Sequence, residues 1–234
     1  IDFEHVSFAY DPQKPLMKDI DLHVKAGSKV AVVGKTGAGK TTLVNLLMRF
    51  YDISSGCIRV DGHDINTVTR DSLGMVLQDT YLFEGTIAEN IAYGKPDASR
   101  EAIIAAAKKS GAHEFIIRLN KGYDTVLHGN SSILSQGQRQ LLSITRVLLM
   151  NPRVLILDEA TSSIDTVSEQ HVNHAMHLLM EGKTSFIIAH RLSTIIDADL
   201  ILVMEQGNII EQGTHEELLN KNGAYAQLFN SQFA

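Results

Sequence analysis

Residues 29–47 read KVAVVGKTGAGKTTLVNLL, and no other stretch of the chain restricts the fold so tightly. A short apolar run, Lys29–Val33, ends at a glycine. Gly34, Lys35, Thr36, Gly37, Ala38, Gly39, Lys40 and Thr41 then match the pattern G-x-x-x-x-G-K-[ST], with Thr42 directly behind. Leu43, Leu46, Leu47 and Phe50 follow at helical spacing. Strand, glycine loop and helix in this order make an anion site. The glycines let the backbone curl so that successive N–H groups point inward, and the helix N-terminus adds its partial positive charge. The pattern predicts that Gly34–Thr42 hold the phosphates of ATP. Lys40 is expected to reach the β- and γ-phosphates, and the Thr41 hydroxyl to ligate Mg2+.

A second half of such a site is visible further along. Val154–Leu157 is a fully apolar strand that runs into Asp158 and Glu159. Alone, an acidic pair after a strand reads as a solvated turn. Beside a phosphate loop, Asp158 is expected to support the magnesium ion, and Glu159 to orient or deprotonate an attacking water. His190 follows the apolar run Ser185–Ala189, at the strand end where α/β sheets bind ligands, and is a candidate contact to the γ-phosphate.

The rest of the chain suits an α/β fold. Apolar residues alternate over Ile1–Tyr10, with an irregularity near His5, and again at Ile20, Leu22 and Val24, as in antiparallel strands with one buried face. Thr86–Leu149 is mainly helical in pattern, and strands alternate with helices from there on. That order implies a mostly parallel sheet with helices on both faces. With 234 residues, 44% of them apolar, the chain is long enough for one large core. A net charge of −6 argues against nucleic acid as the main partner. Cys57 is the single cysteine, so no internal disulfide forms, and it reads as a small apolar filler. His171, His174 and His177 share a helix stripe that reads as a solvated face. No apolar run spans a bilayer and no signal peptide is visible, while the start at Ile1 suggests excision from a longer polypeptide.

Further motifs carry a resemblance. Leu134–Gln138 read LSQGQ; Tyr10 stands in VSFAYDP; Leu82–Ile91 read LFEGTIAENI; Ser162–Asp165 read SSID; His190 stands in IAHRLSTI. Together with the loop and the acidic pair, these resemble the nucleotide-binding domain of ABC transporters, most closely the exporter type, over essentially the whole chain. The resemblance implies one domain over 1–234 with a P-loop NTPase core at about 29–55, 73–84 and 150–234. It also implies an antiparallel β lobe at about 1–28 and 56–72 and a helical lobe at about 85–149. It implies ATP hydrolysis coupled to transport, with Lys40, Gln78, Glu159 and His190 catalytic. Tyr10 would stack on adenine, and Gln78 would touch Mg2+ beside Thr41 and Asp158. Ser135, Gln136, Gly137 and Gln138, with Asp165, would face ATP held by a second nucleotide-binding domain. Membrane domains would be the other partner, and the chain would lie at the cytoplasmic face of the membrane.

This sequence departs from the family pattern at three places. Gln136 stands where the family usually has glycine. Asp61 and Gln78 lie closer together than is usual, and residues 127–133 lack the charged cluster that exporters often carry. A chromosome-maintenance ATPase of the same superfamily is disfavoured by the absence of a heptad run between Lys40 and Ser135 and by the acidic charge. A sensor that binds nucleotide without turning it over is disfavoured by the presence of Glu159 and His190.

Overall fold

A computed structural model describes residues 1–77, 80–128, 133–158, 166–189 and 191–233. In chain order the elements begin with β1 (Asp2–Phe8), β2 (Met17–His23), β3 (Lys29–Val33), α1 (Lys40–Leu47), β4 (Ser55–Val60) and β5 (His63–Asp64). Next come β6 (Leu73–Val76), β7 (Gly85–Thr86), α2 (Ile87–Ala92), α3 (Arg100–Ser110), α4 (His113–Ile116), β8 (Val126–Leu127) and α5 (Gln136–Met150). The chain closes with β9 (Val154–Asp158), α6 (Thr166–Met180), β10 (Thr184–Ile188), α7 (Leu192–Ile196), β11 (Leu200–Glu205), β12 (Asn208–Gly213), α8 (His215–Lys221) and α9 (Ala224–Phe233).

The chain divides into two compact units. The first comprises Ile1–Leu73, Ile156–Glu159 and Thr184–Ala234; the second comprises Gly74–Leu155 and Ala160–Lys183. In the first unit β2, β1, β4 and β5 form an antiparallel sheet in that order. The irregularity near His5 is a pair of compensating bulges. Phe3 pairs with Leu22 and Val6 with Ile20, so β1 carries an extra residue there; Phe8 pairs with Met17, so β2 carries one next. His5 and Asp19 sit in these bulges with φ of 50° and 52°. The slip keeps Phe3, Val6 and Phe8 all buried, which strict alternation would not allow.

The other sheet of this unit is parallel at its centre. β3 lies between β10 and β11 and runs parallel to both, and β12 adds an antiparallel edge. Strands buried on both faces need continuous apolar runs, and Val30–Val33, Phe186–Ile188 and Ile201–Met204 supply them. Ala31, Val33, Ile201, Val203, Leu218 and Tyr225 join one core cluster beneath α8 and α9. The pair Glu216–Glu217 is a helix start: Thr214 accepts from the Glu217 N–H, and the Glu217 carboxylate accepts from the Thr214 N–H.

The second unit is built around α5, which packs against α2, α3 and α6. Two of its buried hydroxyls pair with each other, with Ser110 and Thr145 oxygens 2.6 Å apart and Thr145 also donating to the Leu141 carbonyl. The two-residue strands β7 and β8 join antiparallel within the stretch read from sequence as helical. Among the described residues no helix is long and apolar enough to cross a membrane.

Candidate functional site

The phosphate loop leaves β3 at Gly34 and enters α1 at Lys40. Two glycines are required by geometry. Gly34 has φ of 149°, and a Cβ there would lie 2.4 Å from the Met204 carbonyl oxygen. Gly39 has φ of 101°, and its Cβ would lie 2.9 Å from Gly207 Cα. Gly207 belongs to the β11–β12 turn, and its N–H donates to the Ala38 carbonyl at 2.8 Å. The hairpin thus supports the loop from below, a contact that no local sequence signal announces. Lys35, Thr36 and Gly37 remain exposed around the loop while Ala38 is buried beneath it.

The Lys40 ammonium folds back over the loop. Its Nζ donates to the carbonyls of Gly34 at 2.6 Å and Lys35 at 3.1 Å. Burial lowers its pKa, and the Asp158 carboxylate opposes that by favouring the charged form. Asp158, at the end of β9, is half-buried. Thr41 is exposed on the first turn of α1. Its neighbour Thr42 is buried and lies with Oγ1 3.1 Å from the Tyr10 hydroxyl. Tyr10 is 55% exposed and makes edge-on contacts with Phe8 at 4.8 Å and Tyr51 at 5.0 Å between ring centroids. The structure therefore brings Gly34–Thr42, Tyr10 and Asp158 into one unit of the fold. Gln78, Glu159, Asp165 and His190 lie outside the described residues.

The LSQGQ segment opens α5. Ser135 caps the helix: its Oγ accepts from the Gln138 N–H at 3.2 Å, and the Gln138 side chain accepts from the Ser135 N–H at 3.0 Å. Gln136 is the first helical residue and its φ is not positive. Glycine's conformational freedom is not used there, which explains why glutamine fits. Ser135 is exposed and Gly137 buried, so the helix N-terminus, with its partial positive charge, presents the Ser135 side chain to solvent.

In the second unit, the LFEGTIAENI segment and the residues flanking it carry an aromatic surface that sequence patterns did not single out. Phe83 and Tyr93 stack at 4.0 Å, and Tyr81 meets Phe83 edge-on at 5.1 Å. Arg146 lies over Phe83 and Tyr93 and donates from Nε to the Asn90 carbonyl at 2.8 Å. Tyr81 and Tyr93 remain mostly exposed.

Comparison with known proteins places these features. The ABC transporter family profile matches residues 17–162, more than half of the chain. The uncharacterized ABC transporter ATP-binding protein YfiC of Bacillus subtilis is 55% identical over 100% of this chain and 39% of its own length. A fatty acid ABC transporter ATP-binding/permease protein of Mycobacterium bovis is 54% identical, over 97% of this chain and 37% of its own. A bacterial Atm1-family ABC exporter solved with ATP bound superposes with a TM-score of 0.89 at 46% identity, covering 100% of this chain and 41% of that one. The chain spans about two-fifths of the length of the relatives it matches. A glycine loop between β3 and α1, an acidic end to β9 and a capped helix opening within LSQGQ are thus held on a fold shared with an ATP-bound exporter, and the chain belongs to the ABC transporter family.

Proposed function

We propose that the chain is the ATP-hydrolysing motor of a membrane exporter and works as a pair of nucleotide-binding domains with ATP sandwiched between them. The observation that carries this reading is the loop geometry: Lys40 is stationed on the Gly34 and Lys35 carbonyls, ahead of a helix N-terminus. Gly34–Thr42 would hold the phosphates and Tyr10 the adenine. The hard oxygen donors of Thr41 and Asp158 suit Mg2+, which would neutralise charge on the β- and γ-phosphates. Glu159 would orient the attacking water, with Gln78 and His190 beside the γ-phosphate. Ser135–Gln138 and Asp165 of one chain would face the ATP held by its partner. Loss of the γ-phosphate contacts would open the pair and drive the membrane domains. The exposed ring surface of Tyr81 and Tyr93, backed by Arg146, is the face offered to those domains.

A site completed by a second chain makes hydrolysis a property of the dimer. ATPase activity per chain is expected to rise with chain concentration in steady-state assays at saturating MgATP. Activity strictly proportional to concentration down to the nanomolar range would refute the shared site.

Ser135→Ala separates the two halves further. Loss of the cap is expected to destabilise the chain by about 1 kcal/mol in thermal melts. ATP affinity of the isolated monomer is expected to stay at the wild-type value by calorimetry, while hydrolysis falls. A weakened monomer affinity would place Ser135 in its own chain's site instead.

A further inference from the structure

Tyr10 sits just beyond β1, in a bend where no ladder hydrogen bond fixes it. A side chain there takes its direction from its neighbours. Three neighbours act on it. Phe8 is buried and meets it edge-on at 4.8 Å with an interplanar angle of 83°. Thr42 Oγ1 holds its hydroxyl at 3.1 Å. Tyr51 meets it at 5.0 Å and 89°.

The first two are accounted for by other duties, since Phe8 is core and Thr42 is a helix residue of the phosphate loop. Tyr51 is not. It is 46% exposed, so it adds little to the core, yet its segment is tied at both ends. Phe50 N–H donates to the Asn45 carbonyl at 2.9 Å and Ser54 N–H to the Ser7 carbonyl at 2.8 Å. These bonds hold an aromatic ring against Tyr10, more than half of which stays open to solvent.

We propose that Tyr51 is a positioning residue for adenine: it fixes the plane of the Tyr10 ring so that the base meets a preformed platform. The proposal rests on the reading of Tyr10 as the adenine contact. Edge-to-face pairing is the interaction at stake, and its loss frees Tyr10 to turn away from the base. The effect acts on the base and leaves the phosphates alone, because the loop reaches them through Lys40 and its own N–H groups.

Calorimetry on the chain with magnesium ADP and with magnesium pyrophosphate separates these effects. Tyr51→Ala is expected to weaken ADP binding about three- to tenfold and leave pyrophosphate binding unchanged. Tyr51→Phe is expected to behave as wild type, because the ring and not the hydroxyl makes the contact. Tyr51→Leu keeps the bulk, guards against misfolding, and is expected to follow Tyr51→Ala. Tyr10→Ala/Tyr51→Ala is expected to bind ADP no more weakly than Tyr10→Ala alone, since Tyr51 acts through Tyr10. In ATPase assays Tyr51→Ala is expected to raise KM with kcat retained. Full ADP affinity in Tyr51→Ala, equal loss toward ADP and pyrophosphate, or additive losses in the double variant would each overturn the proposal. Full ADP affinity in Tyr10→Ala would instead remove the adenine platform itself.

Discussion

Lys40→Ala is expected to weaken MgATP binding by about a hundredfold and to remove measurable turnover, the larger of the effects on binding. The ammonium is the charged side chain aimed across the mouth of the loop, bonded at 2.6 Å to Gly34 O and 3.1 Å to Lys35 O. Charge-assisted bonds to phosphate oxygens are stronger than these carbonyl contacts, so the ligand can draw the ammonium onto itself. Alanine removes that charge and leaves the Gly34 carbonyl without its donor. The remaining N–H groups still form a cradle, so residual binding of phosphate is expected, but the charge that develops during transfer goes unneutralised. Calorimetry with MgATP checks the affinity, and a thermal melt near the wild-type value shows that the fold survives. An unchanged affinity would refute the assignment of the loop.

Much of the frame that positions this lysine is legible in the sequence, because its signals are local. The apolar run of β3, the glycines and the helical spacing of Leu43, Leu46 and Leu47 lie within one stretch. The bulge at His5 shows as a slip in alternation, and the cap at Ser135 as Ser with Gln three residues on. Periodicity fails at Phe50. It continues the apolar spacing, yet α1 ends at Leu47, Arg49 turns to φ of 56°, and Phe50 is left 54% exposed. A backbone reversal there, with Arg49 donating to the Val68 carbonyl at 3.0 Å, overrides the pattern. The β7–β8 pair is too short to show a period. The links that complete the site are non-local. Tyr10 reaches Thr42, and Ala38 accepts from Gly207, across separations that no window of sequence spans. For Gln78, Glu159, Asp165 and His190, sequence and family resemblance are the grounds for a role.

Glu159→Gln tests the chemistry independently of the binding. Glutamine keeps the volume and the hydrogen-bonding shape of glutamate and removes its charge and basicity. Turnover is therefore expected to fall about a hundred- to ten-thousand-fold, the range that a positioned general base contributes. Affinity for MgATP is expected to hold, because Lys40 and the loop N–H groups are untouched. With hydrolysis blocked, ATP stays between two chains, and light scattering is expected to show twice the monomer mass with MgATP and the monomer mass without it. Adding Lys40→Ala to the same chain is expected to return the monomer, since the sandwich needs the nucleotide. A variant that hydrolyses at the wild-type rate would refute the role of Glu159. A variant that binds MgATP tightly but remains a monomer would refute the shared site and leave the base assignment standing. The two halves of the proposed mechanism, water activation within one chain and phosphate recognition across two, are thereby decided by separate readouts of one substitution.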